Sequence, residues 1–139
     1  MGDKEILLEK LVRLDHTGLI PQLHERLIAC GLKFKGPKNS RTLLYYVRDR
    51  NKKEVGLAAL RVESLPIFSL PKTYWIPRYL EVNAALATLP ASSIVDPEEG
   101  VSSSQFSMRQ ISISKDTIVE IERLITELVG KHAQAAGVA

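Results

Sequence analysis

Residues 41–63, RTLLYYVRDRNKKEVGLAALRVE, decide the fold class. Arg41 to Arg48 is rich in Leu, Tyr and Val, residue types that fit a pleated surface, and Val55 to Glu63 is a second apolar run. Asp49 to Lys53 between them is polar throughout and reads as a turn, so the stretch predicts an antiparallel hairpin with a highly charged tip. Val55 to Val62 is apolar on both alternating faces, which predicts a central strand covered on both sides, in part by a second subunit.

Upstream of the hairpin, Gly36, Pro37, Lys38, Asn39 and Ser40 form a loop at which the apolar period changes from helical to alternating. Before it, Leu7, Leu11 and Leu14 stand at helical spacing over residues 4–15, and Asp3 can cap the start. Thr17 and Gly18 break this helix. Pro21 opens a second one, with Leu23, Leu27 and Ile28 as its stripe and Gly31 just past its end.

Downstream, Ser64 to Pro66 interrupts the sheet, and Ile67 to Leu70 reads as a short third strand. Pro71 ends it and places it near an edge, since proline cannot donate to a central ladder. Pro77 with Tyr79, Val82, Leu86 and Leu89 predicts a short helix stopped by Pro90. Pro90 to Gln105, with five serines, Pro97 and Gly100, is expected to be a flexible excursion, most mobile over Ser92 to Ser104. Phe106 to Ile113 resumes strand character. Ser114 and Asp116 then introduce a last helix striped by Ile118, Ile121, Ile125 and Leu128 and ended by Gly130.

The sum is an α+β fold: two N-terminal helices, an antiparallel sheet of about four strands, an intervening short helix and a C-terminal helix. One domain is expected over residues 1–132, with a frayed tail at 133–139.

The chain has 139 residues, 45% of them hydrophobic and 25% charged, which suits a globular domain that needs neither disulfide nor metal to hold its core. No apolar run approaches the roughly 20 residues of a membrane span. The N-terminus carries Asp3, Glu5 and Glu9 in place of a secretory signal, so a cytoplasmic location is the expectation. A single cysteine, Cys30, excludes an internal disulfide and fits a reducing compartment.

The net charge of +3 conceals an asymmetry. Lys33 to Lys53 contains eight bases and one acid, net +7, while the remaining eleven bases and fifteen acids give −4. Lys33, Lys35 and Lys38 on the entering loop, with Arg48, Arg50, Lys52 and Lys53 at the hairpin tip, can form a positive ridge that releases counterions from a phosphate backbone. Tyr46, on the same face as Arg48, would serve as its stacking platform. An anionic partner such as nucleic acid is thus expected. The helices lack the polar base-reading surface of a sequence-specific major-groove reader.

A second cluster is aromatic. Tyr74, Trp75 and Tyr79 are three of the chain's five Tyr and Trp residues, held within six positions and stiffened by Pro71 and Pro77. With Arg78 they can wall a pocket for a small anionic molecule, or the same aromatics can form the interface of a homodimer.

Catalytic signatures do not accompany either cluster. The eight glycines never fall into a phosphate-binding loop or a nucleophile elbow. Cys30 sits at a predicted helix C-terminus, where the dipole disfavours a thiolate. His16, His24 and His132 lack the spacing of helical zinc ligands, and His24 beside Glu25 and Arg26 reads as part of a solvated face. Asp49, Glu54 and Glu63 lie along the hairpin without the Glu-x-Lys that a metal-dependent nuclease would add. The expectation is a non-catalytic binding domain without cofactor or metal.

Overall fold

A computed structural model describes residues 2–89 and 107–137. The chain opens with α1 (Asp3–Leu14) and α2 (Ile20–Ala29), then lays down β1 (Lys33–Lys35), β2 (Thr42–Arg48), β3 (Glu54–Val62) and β4 (Pro66–Pro71). A helical insertion follows, made of α3 (Lys72–Trp75), a 3₁₀ turn (Ile76–Arg78) and α4 (Tyr79–Leu86). After β5 (Ser107–Ser112) comes a continuous C-terminal helix made of α5 (Ile118–Leu124), a π segment (Ile125–Val129) and α6 (Gly130–Ala136). The five strands lie in sequence order and each pairs antiparallel with the next, so the sheet is a meander in an α+β fold.

The turn between α1 and α2 is organised by Asp15, which is buried. Its carboxylate accepts the backbone N–H groups of Thr17, Leu19 and Ile20, and these are otherwise unpaired donors at a helix start. Of the stripes predicted on the two helices, Leu7, Leu11, Leu23 and Leu27 are fully buried, whereas Leu14 and Ile28, each near the C-terminal end of its helix, are exposed. α1 and α6 cover β2 and β3, and α3 packs across β3, β4 and β5. One core results, in which Leu43, Tyr45, Leu60, Phe68 and Ile111 of the sheet meet Val82, Ile121, Leu124 and Ile125 of the helices.

The 41–63 hairpin forms as its sequence predicts, with β3 third of five. Its register runs Leu43↔Leu60 and Tyr45↔Ala58, then steps to Tyr46↔Gly56, so that Leu57 is the extra residue of a bulge. A bulge leaves backbone groups without ladder partners. Here the carbonyl of Leu57 accepts the indole N–H of Trp75 at 2.8 Å, and this bond fixes α3 against the middle of the sheet.

Four expectations are corrected. The sheet has five strands, because Lys33 to Lys35 is a strand and not loop; a three-residue K-F-K segment is too short to announce a period. β4 does lie near an edge, fourth of five beside the edge strand β5, and it pairs on both sides because its two prolines occupy the first and last positions, where the missing N–H removes no interior ladder bond. Helical structure after β4 starts earlier than expected, at Lys72, and Pro77 stands in the first turn of the 3₁₀ segment that leads into α4.

The last helix runs through Gly130 to Ala136 with Ala133 buried, so 133–136 is not a frayed tail. Gly130 is not a stop signal. A Cβ there would lie 3.2 Å from Cys30 Sγ and 3.3 Å from the Ile125 carbonyl, so the glycine lets the helix approach the end of α2. The excursion read over Pro90 to Gln105, with Ser92 to Ser104, lies outside the described residues. Among the described residues no helix is long and apolar enough to cross a membrane.

Candidate functional site

The hairpin tip is built by Asp49. Its backbone pairs with Lys52 and Lys53, and its Oδ1 accepts the N–H of Asn51 at 2.8 Å and of Lys53 at 3.0 Å. Closing the turn this way puts Lys52 in the left-handed region, φ 61°, a position that hairpins of this kind usually give to glycine or asparagine. A lysine held there carries backbone strain. Lys52→Gly is expected to raise the unfolding free energy by about 0.5 to 1 kcal/mol, the strain relieved less the added freedom of glycine in the unfolded chain. Urea denaturation of the two proteins measures it, and an unchanged or lower midpoint would show that the lysine is unstrained.

Lys52 groups with Lys33 of β1, which pairs with Tyr46 across the ladder, and with Arg48 at the end of β2, whose Nη1 donates to the Lys52 carbonyl at 3.1 Å. These three bases and Asp49 line a cleft of about 500 Å³. Cys30 and Gly31 at the end of α2, with Ala133, Gln134 and Gly137 at the end of the C-terminal helix, form its opposite wall. The Cys30 thiol is pushed up in pKa by burial more than nearby Arg26 lowers it, and it approaches the Ile125 carbonyl at 3.8 Å. Such a thiol packs and does not attack.

The seven predicted bases divide by their partners. Lys35 and Arg48 both pair with Glu54, whose carboxyl is held below the ordinary range by the hydrogen bond from Lys35 and by the charges of both bases. Lys33, Lys38, Arg50, Lys52 and Lys53 have no ion pair among the described residues. Tyr46 is not an open platform. It is 8% exposed, with Lys35 Nζ 5.4 Å and Arg48 Cζ 5.6 Å from its ring centre, so a base would have to displace these two side chains to stack on it.

The aromatic cluster does not converge on one cavity. Trp75 is 0% exposed and belongs to the core, whereas Tyr79 is 53% exposed on α4. Of these residues Tyr74 and Arg78 alone line a cleft, a second one that they share with Lys53 and that, like the first, has Asp49 in its lining. Behind Tyr74 runs a chain of polar contacts invisible to spacing. The Tyr74 hydroxyl meets His132 Nδ1 at 2.7 Å, and His132 Nε2 meets both carboxylate oxygens of Glu81 at 3.0 Å. The hydrogen bond from His132 is the main cause that keeps the Glu81 carboxyl below its ordinary range. Imidazole and phenol rings both lie edge-on to Trp75, at 4.8 and 5.0 Å, so the chain locks α3, α4 and α6 around the indole.

His24 is also not on a solvated face. It is half-buried, edge-on to Phe34 at 4.7 Å, with Nδ1 2.6 Å from the Tyr45 hydroxyl, and burial lowers its pKa against the raising effect of Glu25. The folded state therefore favours neutral imidazole. The unfolded chain takes up its proton first, near pH 6.5, so this stabilisation is present above that value and is lost as pH falls from there toward the folded pKa. The urea midpoint is expected to fall between pH 7.5 and 5.5 by more in the wild type than in His24→Gln. Parallel curves for the two proteins would mean that His24 titrates as in water.

No protein-family model matches the chain, and no curated protein or solved structure matches it either.

Proposed function

We propose that this chain is a non-catalytic binding domain whose basic cleft takes an anionic partner, a nucleic-acid phosphate backbone in the first place. The observation that carries the reading is the meeting of Lys33, Arg48 and Lys52 along one 500 Å³ cleft, with two of the three having no ion pair among the described residues. Elsewhere the chain is acidic on balance, so a polyanion would be drawn to this edge of the sheet and repelled from most other surfaces. Arg50, exposed at the hairpin tip and outside the cleft lining, adds a further positive charge, which favours an extended partner over a single ion.

Recognition of this kind is electrostatic and indifferent to base sequence. The test is titration of a mixed-sequence 20-mer, single-stranded and duplex, across about 50 to 300 mM salt, in which log affinity should fall linearly with log salt. Absence of salt-dependent binding at concentrations up to about 100 μM would overturn the reading.

A further inference from the structure

The second cleft, lined by Tyr74, Arg78 and Lys53, supports a different ligand, independently of the nucleic-acid reading. It measures about 350 Å³, at the small end of the range for small-molecule sites, and lies between the hairpin base and the helical turn after β4. Its apolar part is made by Leu44, Val55 and Pro71 around Gly56. A Cβ on Gly56 would come within 3.1 Å of Leu44 Cδ1, so the leucine side chain lies directly over the bare backbone and the two together form an apolar floor.

Its cationic part is Arg78 and Lys53. The Arg78 guanidinium is stacked on the Tyr74 ring, 3.8 Å from Cζ to the ring centre, and its Nη1 donates to the Tyr74 carbonyl at 2.7 Å. Both contacts fix the plane of the group. They leave the Nε/Nη2 edge, one of the two faces of a guanidinium that accept a carboxylate bidentately, without a partner among the described residues.

Lys53 has no ion pair among the described residues. The two acids at the cleft are engaged elsewhere, Asp49 by two backbone amides through Oδ1 and Glu54 by Lys35 and Arg48. A fixed guanidinium fork beside an apolar floor is complementary to a small carboxylate with an apolar body. We infer that the cleft bounded by Arg78, Tyr74, Lys53 and the Leu44–Gly56 floor is a binding site for small apolar monocarboxylates, with Arg78 holding the carboxylate and the floor holding the hydrocarbon or ring.

Titration of the full chain with phenylacetate, followed by amide NMR, tests this. The amides of Gly56 and Thr73 are expected to shift and saturate in the millimolar range proper to so small a ligand. Benzyl alcohol, which lacks the charge, and inorganic phosphate, which lacks the apolar body, should each bind at least tenfold more weakly. Arg78→Lys keeps the charge but loses the fork and should weaken phenylacetate at least tenfold. Lys53→Ala, at an exposed turn position, should weaken it several-fold while the spectrum elsewhere remains that of the folded protein. Three results would overturn the inference: no saturable shift at Gly56 and Thr73, unchanged affinity in Arg78→Lys, or phosphate binding as well as phenylacetate. Because neither variant touches Lys33, Arg50 or Lys52, loss of this site and loss of nucleic-acid binding are read separately.

Discussion

Trp75→Ala is expected to lower the unfolding free energy by about 3 to 5 kcal/mol, the range for removing a large aromatic from a core that cannot collapse around the gap. Trp75 heads the fully buried side chains by volume, and Tyr74, His132 and Leu57 surround it. Trp75→Phe separates the two parts of this effect. It retains much of the packing but leaves the Leu57 carbonyl in the bulge unpaired, at a cost of about 1 to 3 kcal/mol. Equilibrium denaturation in guanidinium checks both variants. A change below about 1 kcal/mol in Trp75→Ala would contradict a core role for the indole.

The largest expected effect on binding comes from removing Lys33, Arg50 and Lys52 together. If each neutralises one phosphate, the triple alanine variant should reduce the slope of log affinity against log salt by about 2.7 on duplex DNA, a loss on the order of a hundredfold or more in affinity at 0.1 M salt. Lys35→Ala should do much less, because Glu54 already balances that charge in the free protein. Fluorescence anisotropy with a labelled 20-mer measures both. Equal losses in the two proteins would place the partner on the Glu54 side of the hairpin and remove the cleft from the account. An unchanged salt slope in the triple variant would remove these phosphate contacts altogether.

Much of the fold was legible because apolar periods report it directly. Leu7 and Leu11, Leu23 and Leu27, and the apolar run through Val55 to Val62 each mark an element that is buried, although the same helical spacing also took in Leu14 and Ile28, which are exposed. β1 escaped because one phenylalanine between two lysines has no period. Gly130 misled for a related reason: a glycine that ends a helix and one that admits a neighbouring helix are the same letter, and only the 3.2 Å approach to Cys30 distinguishes them.

The candidate site was legible to the extent that its charges are close in the chain. Lys33, Arg48 and Lys52 belong to β1 and the hairpin that follows it, so antiparallel pairing alone brings them near one another. The Lys35–Glu54–Arg48 arrangement needed the register, which places Glu54 opposite Arg48 and was not deducible from composition. For the aromatics the ambiguity was intrinsic, since Tyr, Trp and Arg are the residues both of pockets and of packed helix junctions. His132 gave no signal at all: 51 residues separate it from Glu81 and 58 from Tyr74.

The bond between the indole of Trp75 and the bulge at Leu57 also makes the chain optically self-reporting. With one tryptophan in 139 residues, all indole emission originates beside the peptide that adjoins Gly56, at the floor of one cleft and at the root of the hairpin that walls the other. Emission from the folded protein should be blue-shifted, as befits an indole withdrawn from water. Unlabelled protein can therefore be followed through hairpin displacement and core opening by two separable spectral changes, intensity and wavelength.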